Sequence, residues 1–321
     1  MNNKIVVQGM PSFEHPLYLE PQRQADLTAK VQQAQAALKH CTLCPRRCGV
    51  DRTAGETGYC RTADKALVSS YNAHFGEEAP LVGRYGSGTI FFTYCNLLCT
   101  FCQNYEISHL GEGTEVTAGQ LAQMMLNLQE AGCHNINLVT PSHVVSQILA
   151  AVQIAAQNGL RIPLVYNSGG YDSLKTLKIL EGVIDIYMPD FKFWDAAIAD
   201  KTCQTPDYPE IARQALSEMH RQVGDLIIDE SGLARHGLLL RHLVLPQGMA
   251  GTREIMHFVA TRISTQTYVN IMPQYRPCGR AAEVPELSHA LTARDFEAAL
   301  QTARDEGITR LDQRRKVFLL W

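Results

Sequence analysis

The 321-residue sequence has no surplus of positive charge. Its 29 Lys and Arg residues face 32 Asp and Glu, for a formal net charge of −3. Duplex nucleic acid is gripped by a basic footprint that neutralises phosphates, so a nucleic-acid partner is not expected. Long apolar runs are also missing. Residues 238–240 and 318–321 are among the longest, far below the roughly 18 residues that a spanning helix needs. Residues 1–10 lack a basic stretch followed by a long apolar one, so no signal peptide is expected. These absences predict a soluble, cytoplasmic chain with no membrane partner. A hydrophobic fraction of 45% is enough for a real core, which excludes wholesale disorder. The length suits one large α/β domain with an attachment, or two ordinary domains.

Cysteine is what the chain has in plenty, with ten residues. In a large chain without secretion signals, clustered cysteines read as metal ligands or catalytic groups rather than disulfides. Seven fall in two clusters: Cys41, Cys44, Cys48 and Cys60, then Cys95, Cys99 and Cys102. Cys133 and Cys203 are isolated and read as inert buried thiols. Cys278 reads as inert or as a thiol on the substrate side.

A helix is expected over residues 24–40, leading into the first cluster. Segment 41–63 carries Pro45, Gly49, Gly55 and Gly58 and few apolar residues, so it reads as a loop-like knuckle. Such a segment needs a source of order other than burial, and metal ligation supplies one. Its four cysteines suit a structural zinc, a second iron–sulfur cluster, or unligated thiols. Arg46 and Arg47 read as residues that keep the knuckle solvated.

Beyond residue 89, six β-rich runs stand out: 89–94, 135–140, 162–168, 184–191, 238–245 and 267–275. Helical stretches lie between most of them, at about 144–158, 173–180, 210–222, 252–263 and 292–306. A further helix opens on a capping box at Thr117-Ala-Gly-Gln120. Apolar strands alternating with helices predict a parallel sheet covered by helices, and six such units predict a partial (β/α)6 barrel of the TIM type. The predicted division is 1–70 for a small Cys-rich N-terminal extension, 71–280 for the barrel and 281–321 for a C-terminal helical segment. The long interval 193–236, with Trp194, Tyr208 and Met219, reads as a shaper of substrate access or as a surface excursion. Active sites of such barrels gather at the C-terminal strand ends. There this chain carries Cys95, Thr140 and Ser142, Asn167 and Ser168, Asp190 and Lys192, and Arg241. Asp190 and Lys192, two apart on a strand, project to one side. Their alternative reading is an ion pair closing the mouth. His143 and His242 read as structural.

Cys95-Asn-Leu-Leu-Cys99-Thr-Phe-Cys102 lies just after the first of these runs. A four-iron cube normally takes four thiolates, so three closely spaced ones leave one iron open. An open metal position lets a site bind a reactant. The alternatives are a zinc site completed by His109, or unligated thiols.

This C-x3-C-x2-C loop resembles the hallmark of the radical S-adenosylmethionine superfamily, and the resemblance runs over about residues 71–280. Within it, Gly86-Ser-Gly-Thr-Ile-Phe-Phe-Thr-Tyr-Cys-Asn-Leu-Leu-Cys-Thr-Phe-Cys-Gln-Asn is similar to the pyruvate formate-lyase activating enzyme group. The knuckle and the His-Phe-Gly-Glu-Glu stretch at 74–78 resemble its PflX-like branch. The resemblance implies a radical-SAM-type barrel with a [4Fe-4S] cluster on Cys95, Cys99 and Cys102. S-adenosylmethionine would chelate the open iron through its amino and carboxylate groups. Phe101 would lie against the adenine. Where related enzymes carry Gly-Gly-Glu this chain has Thr140-Pro-Ser-His143, so Thr140 or Ser142 would meet the amine. Asn167 and Ser168 would face the ribose, and Asp190, Lys192 and Arg241 match further cofactor-binding strand ends. A basic Lys192 or Arg241 suits the carboxylate, and Asp190 accepts hydrogen bonds.

The implied activity is reductive cleavage of S-adenosylmethionine to a 5′-deoxyadenosyl radical. That radical would take hydrogen from a protein or peptide, a glycyl residue of a partner enzyme among the candidates. Its electron donor would be a flavodoxin or ferredoxin. Radical modification of a peptide or small metabolite is the alternative. A metal-braced binding protein without turnover is the reading from another class.

Overall fold

A computed structural model describes residues 15–312; residues 1–10 and 318–321 of the targeting and apolar-run arguments lie outside the described residues. In chain order the main elements are α1 (Pro21–Ala36), β1 (Ala66–His74), α2 (Ala79–Val82), β2 (Ser87–Phe92), β3 (Thr114–Val116) and α3 (Ala118–Glu130). Then follow β4 (Ile136–Val139), α4 (Val145–Gln157), β5 (Leu164–Ser168), α5 (Leu174–Leu180), β6 (Ile186–Pro189), α6 (Ala196–Cys203) and α7 (Tyr208–Val223). The chain continues through β7 (Ile227–Ile228), β8 (Ala234–Leu243), α8 (Thr252–Phe258), β9 (Tyr268–Met272) and α9 (Ala293–Asp305).

The strands form one sheet in the order β3-β1-β2-β4-β5-β6-β8, with β7 pairing antiparallel and β9 parallel to β8. The pairings β2–β4, β4–β5, β5–β6, β6–β8 and β8–β9 are all parallel. These strands coincide with the six β-rich runs expected from the sequence, and helices separate them. The fold is a mixed α/β partial barrel, and its sheet does not close: among the described residues no ladder joins β9 back to the β3 edge.

Two helix starts follow directly from local chemistry. Thr117 and Gln120 form the expected capping box of α3, and Thr292 with Asp295 forms a second one at α9. The 252–263 stretch is α8 followed by a wider turn at Val259–Ile263.

Three features depart from the expectations. The sheet gains an antiparallel edge, β1 on β2 and β3 on β1, and the division at residue 70 falls inside β1. Only the first residues of β1 are alternately buried, and its middle is exposed, so its composition carries little strand signal. The 193–236 interval is not a surface excursion. It contains α6, α7 and β7, and Tyr208 and Met219 are fully buried. Among the described residues no helix is long and apolar enough to cross a membrane.

Strand alternation divides the barrel into two zones. Val165, Ile186, Met188, Leu239 and Tyr268 form an apolar cluster with Leu81 and Leu226. One repeat further along the strands, on the same face, stand Asn167, Asp190, Arg241 and Asn270. The interior therefore has an apolar floor and a polar ceiling at the C-terminal strand ends.

His242 points the other way and is sealed outside the barrel. Its Nδ1–H donates to the Phe191 carbonyl (2.8 Å) and its Nε2 accepts from the Thr252 hydroxyl (2.9 Å). Burial pushes its pKa down to about 4. A base whose folded pKa is depressed contributes stability present above its unfolded value and lost as pH falls towards the folded one. Metal-free protein should therefore lose on the order of 3 kcal/mol through this group as pH falls from 6.5 to 4. Urea midpoints across that window should show about one fewer proton taken up on unfolding in His242→Leu; an unchanged slope would remove His242 from the account.

Candidate metal and cofactor site

The loop after β2 carries Cys95, Cys99 and Cys102. Two of its residues, Tyr94 and Leu98, have left-handed backbones (φ 65° and 53°), a strained choice for such side chains. The strain accompanies a ring of donors aimed at sulfur. Leu97 N–H lies 3.3 Å from Cys95 Sγ, and the Ser108 hydroxyl 3.2 Å from Cys102 Sγ. Neutral thiols are weak acceptors, so these donors suit thiolates. Burial pushes the Cys95 thiol up to about 12 and raises Cys102 as well. Contact with Cys203 and then burial hold Cys99 well above the ordinary thiol range. Thiols this reluctant to ionise become thiolates by exchanging a proton for a metal. Among the described residues no three Cys, His, Asp or Glu side chains close on a single ion. A cube asks for less convergence, since each thiolate binds a different iron. The donor set fits a cluster.

Cys203 is the surprise. From the C-terminal end of α6 its thiol reaches to 3.2 Å from Cys99 Sγ, and it is 2% exposed. The reading of Cys203 as an isolated thiol is corrected. The contact spans 104 positions, and spacing along the chain cannot disclose it.

Next to the triad the polar ceiling is closed by ion pairs. Asp190 accepts from Lys192 Nζ (2.5 Å) through one oxygen and from Arg241 Nε (2.8 Å) through the other. Arg241 also donates to Asn167 Oδ1 (2.7 Å) and stands 4.0 Å from Glu77. Burial pushes Asp190 up, but Arg241 and Lys192 outweigh it and hold the carboxyl below its usual range. Lys192 and Asp190 lie within electrostatic reach of Cys99. Asn167, Asp190, Lys192 and Arg241 are thus brought together beside the cysteines. Glu77, Glu78, Asn137 and Asn270 complete the ceiling. Glu78 is held by Asn270 (2.8 Å), and burial raises its pKa. Asn137 is fully buried, and its side chain is a hydrogen-bond partner of Glu77. An inward-facing Asn on a strand is a sequence signal that was available for Asn137 and Asn270.

Glycine lets the triad loop settle on this ceiling. A Cβ at Gly169 would lie 2.7 Å from Leu97 Cδ1, and one at Gly170 would lie 2.1 Å from the Asp190 carbonyl oxygen. The buried Tyr208 hydroxyl ties the same two strand ends, 3.0 Å from the Gly169 carbonyl and accepting from Lys192 N–H at 2.8 Å.

Ser142 and Ser168 are placed elsewhere. Ser168 donates to Asp172 (2.6 Å) on the outer face of the sheet, where Tyr166 also reaches Asp172 (2.9 Å) and Ser142 is a further hydrogen-bond partner. Thr140 has a left-handed backbone (φ 63°), and its N–H donates to the Asn167 carbonyl (2.9 Å). Phe101 is 4% exposed and packs edge-on against Phe193 and Tyr275. His109 stacks on Tyr105 and meets Ser108, and Cys278 is half-buried on the loop that follows β9.

The knuckle is built into the site rather than hung beside it. Arg46 donates to the carbonyls of Asn96 (2.9 Å), Gln204 (2.8 Å) and Cys203 (2.9 Å), and its guanidinium lies 3.7 Å over the Tyr59 ring. The reading of Arg46 as a solvating residue is corrected: it clamps the triad loop to the end of α6. His143 is also structural, as expected. It is buried and bonded to the Thr93 carbonyl, and burial together with Arg52 pushes its pKa down to about 4.

No family model matches the sequence. Over 287 residues the chain is 31% identical to the uncharacterized protein MJ0674 of Methanocaldococcus jannaschii, covering 86% of this chain and 78% of that one. The chain belongs to the MJ0674 family. Among solved structures it is similar to methylornithine synthase (PylB), with a TM-score of 0.44, 15% identity, and coverage of 90% of this chain and 71% of that one. For the MJ0674 family member described here, the donor ring around Cys95 and Cys102, the ion-paired ceiling and the Arg46 clamp form one contiguous site.

Replacing Arg46 by Met keeps bulk and removes the charged donors. Hydrogen bonds to charged groups contribute about 1.5–3 kcal/mol each, and partial exposure of Arg46 lowers that, so we expect a loss of about 2 kcal/mol in urea unfolding. A change within about 0.5 kcal/mol would show that the clamp adds nothing beyond an ordinary surface residue.

Proposed function

We propose that this protein is a radical S-adenosylmethionine enzyme. The observation that carries the reading is the C-x3-C-x2-C loop standing at a C-terminal strand end, its sulfurs ringed by donors, against the buried ceiling of Asn167, Asp190, Lys192 and Arg241. Cys95, Cys99 and Cys102 would hold a [4Fe-4S] cluster. When bound, such a group supplies one-electron reductive cleavage of S-adenosylmethionine to methionine and a 5′-deoxyadenosyl radical.

The chain's own residues have the remaining tasks. Lys192 and Arg241 suit the carboxylate of the cofactor, and Asp190 accepts hydrogen bonds from its ammonium or ribose. The apolar floor keeps water from entering beneath the reacting atoms. Phe101 belongs to the shell around the last cysteine, and Thr140 to the strand end that meets Asn167. The substrate we propose is a protein, with a glycyl backbone as the hydrogen source, supported by the resemblance of residues 86–104 to the activating enzymes. A flavodoxin or ferredoxin is the proposed donor.

Anaerobically reconstituted, reduced protein given S-adenosylmethionine should convert it to 5′-deoxyadenosine and methionine, and Cys99→Ala should release neither. Product formation by that variant at the wild-type rate would end the triad assignment. Deuterium carried from a glycine-labelled protein substrate into 5′-deoxyadenosine would identify the hydrogen source, and transfer only from a small metabolite would replace the protein substrate.

The Cys203 contact favours a second reading, in which its thiolate supplies a fourth ligand and the cluster is closed. The two differ in Cys203→Ala. With an open iron in the wild type, this variant keeps both its full iron content and the cleavage reaction. If the cluster is closed in the wild type, S-adenosylmethionine leaves its electron paramagnetic resonance spectrum unchanged, and binding is seen only in Cys203→Ala.

A further inference from the structure

The knuckle contains a buried cation with no anion beside it. Arg52 is 0% exposed. Its Nε donates to the Ala63 carbonyl (2.9 Å) and one Nη to the His143 carbonyl (2.7 Å), while Nη2 is buried with no partner. Among the described residues no carboxylate pairs with it. Guanidinium is always protonated, and an uncompensated buried charge costs several kcal/mol. Some anion therefore belongs here, and the groups at hand are sulfurs. Cys41 Sγ lies 3.8 Å from Nη1, the nitrogen that also donates to the His143 carbonyl.

All four knuckle cysteines, with Arg52 and His143, line a single small cavity of about 10 Å³. That is roughly the room of one water molecule, the scale of a single ion. The sulfurs also have donors waiting. Tyr59 N–H lies 3.3 Å from Cys48 Sγ, and Arg46 N–H bonds to Cys44. With Arg52 on Cys41, three of the four sulfurs face N–H groups that thiolates accept well and thiols poorly. The backbone closes tightly around Cys48: a Cβ at Gly58 would lie 2.6 Å from its sulfur. As free thiols these groups carry no charge. They then offer Arg52 no counter-charge. The sulfurs do not close on one point in this structure, so ligation requires their side chains to turn inward.

The geometry points to a closed tetrathiolate site for one divalent ion, zinc by ligand type, formed by Cys41, Cys44, Cys48 and Cys60 with Arg52 as its buried counter-charge. Four thiols release their protons on binding, and the resulting complex is net negative. That negative charge satisfies the guanidinium. Ligand softness selects zinc over magnesium or calcium. The site is separate from the triad and does not depend on the reading of Cys95, Cys99 and Cys102.

The test uses the full chain and reads metal directly. Wild-type protein should hold one zinc per chain whatever its iron content, and cobalt(II) alone should give the thiolate charge-transfer and visible bands of a tetrahedral sulfur site. Cys41→Ser/Cys44→Ser should lose the zinc and keep the triad iron. Arg52→Met should keep the site but weaken zinc about 10–100-fold against a chelator, the usual effect of removing an outer partner of a metal ligand. A double variant that retains zinc, or one that loses iron with no zinc in the wild type, overturns the proposal. So does an Arg52→Met protein with wild-type zinc affinity. In case the double variant fails to fold, alkylation of wild-type protein decides. Zinc should protect Cys41, Cys44, Cys48 and Cys60 together, and equal labelling with and without a chelator counts against the site.

Discussion

The structure depends on keeping charge buried inside a barrel. Asp190 does so by facing two cations at once, Lys192 from its own strand end and Arg241 from β8. Removing Asp190 would leave Lys192 buried with no carboxylate bonded to it, at a cost of several kcal/mol. The polar ceiling is therefore a single unit whose members hold one another in place. It draws Asn167 into register through Arg241 and reaches Glu77 on the stretch between β1 and α2. The apolar floor lies directly below the ceiling.

The same constraint governs the knuckle. A segment with few apolar side chains contributes little to a core, yet it buries Arg52 completely and sends Arg46 across to three carbonyls around the triad. Order in the knuckle and order in the triad loop are mechanically joined through those bonds. Thr176 adds a tie on the other side by donating to the Leu43 carbonyl (2.6 Å). The N-terminal extension is better described as a brace on the barrel mouth than as a second domain.

The parallel strands were readable because burial on both faces leaves unbroken apolar runs. The two capping boxes were readable because their signal is local. β1 and β3 were not, since an edge strand with an exposed middle has no clean alternation. The four charged or amide residues Asn167, Asp190, Lys192 and Arg241 could be placed together because each ends an inward-facing strand position. Ser168 follows Asn167 in sequence yet faces the opposite side of the sheet, as strand alternation dictates. Cys203, Arg46 and Arg52 were beyond reach for another reason. Their roles lie in partners 50 to 158 residues away or in burial itself, and neither leaves a mark on spacing.

The floor of Val165, Ile186, Met188, Leu239 and Tyr268 has one more consequence. It plugs the base of the barrel, so the buried charges above it can be reached from the C-terminal rim or from the open side between β3 and β9, and not from below.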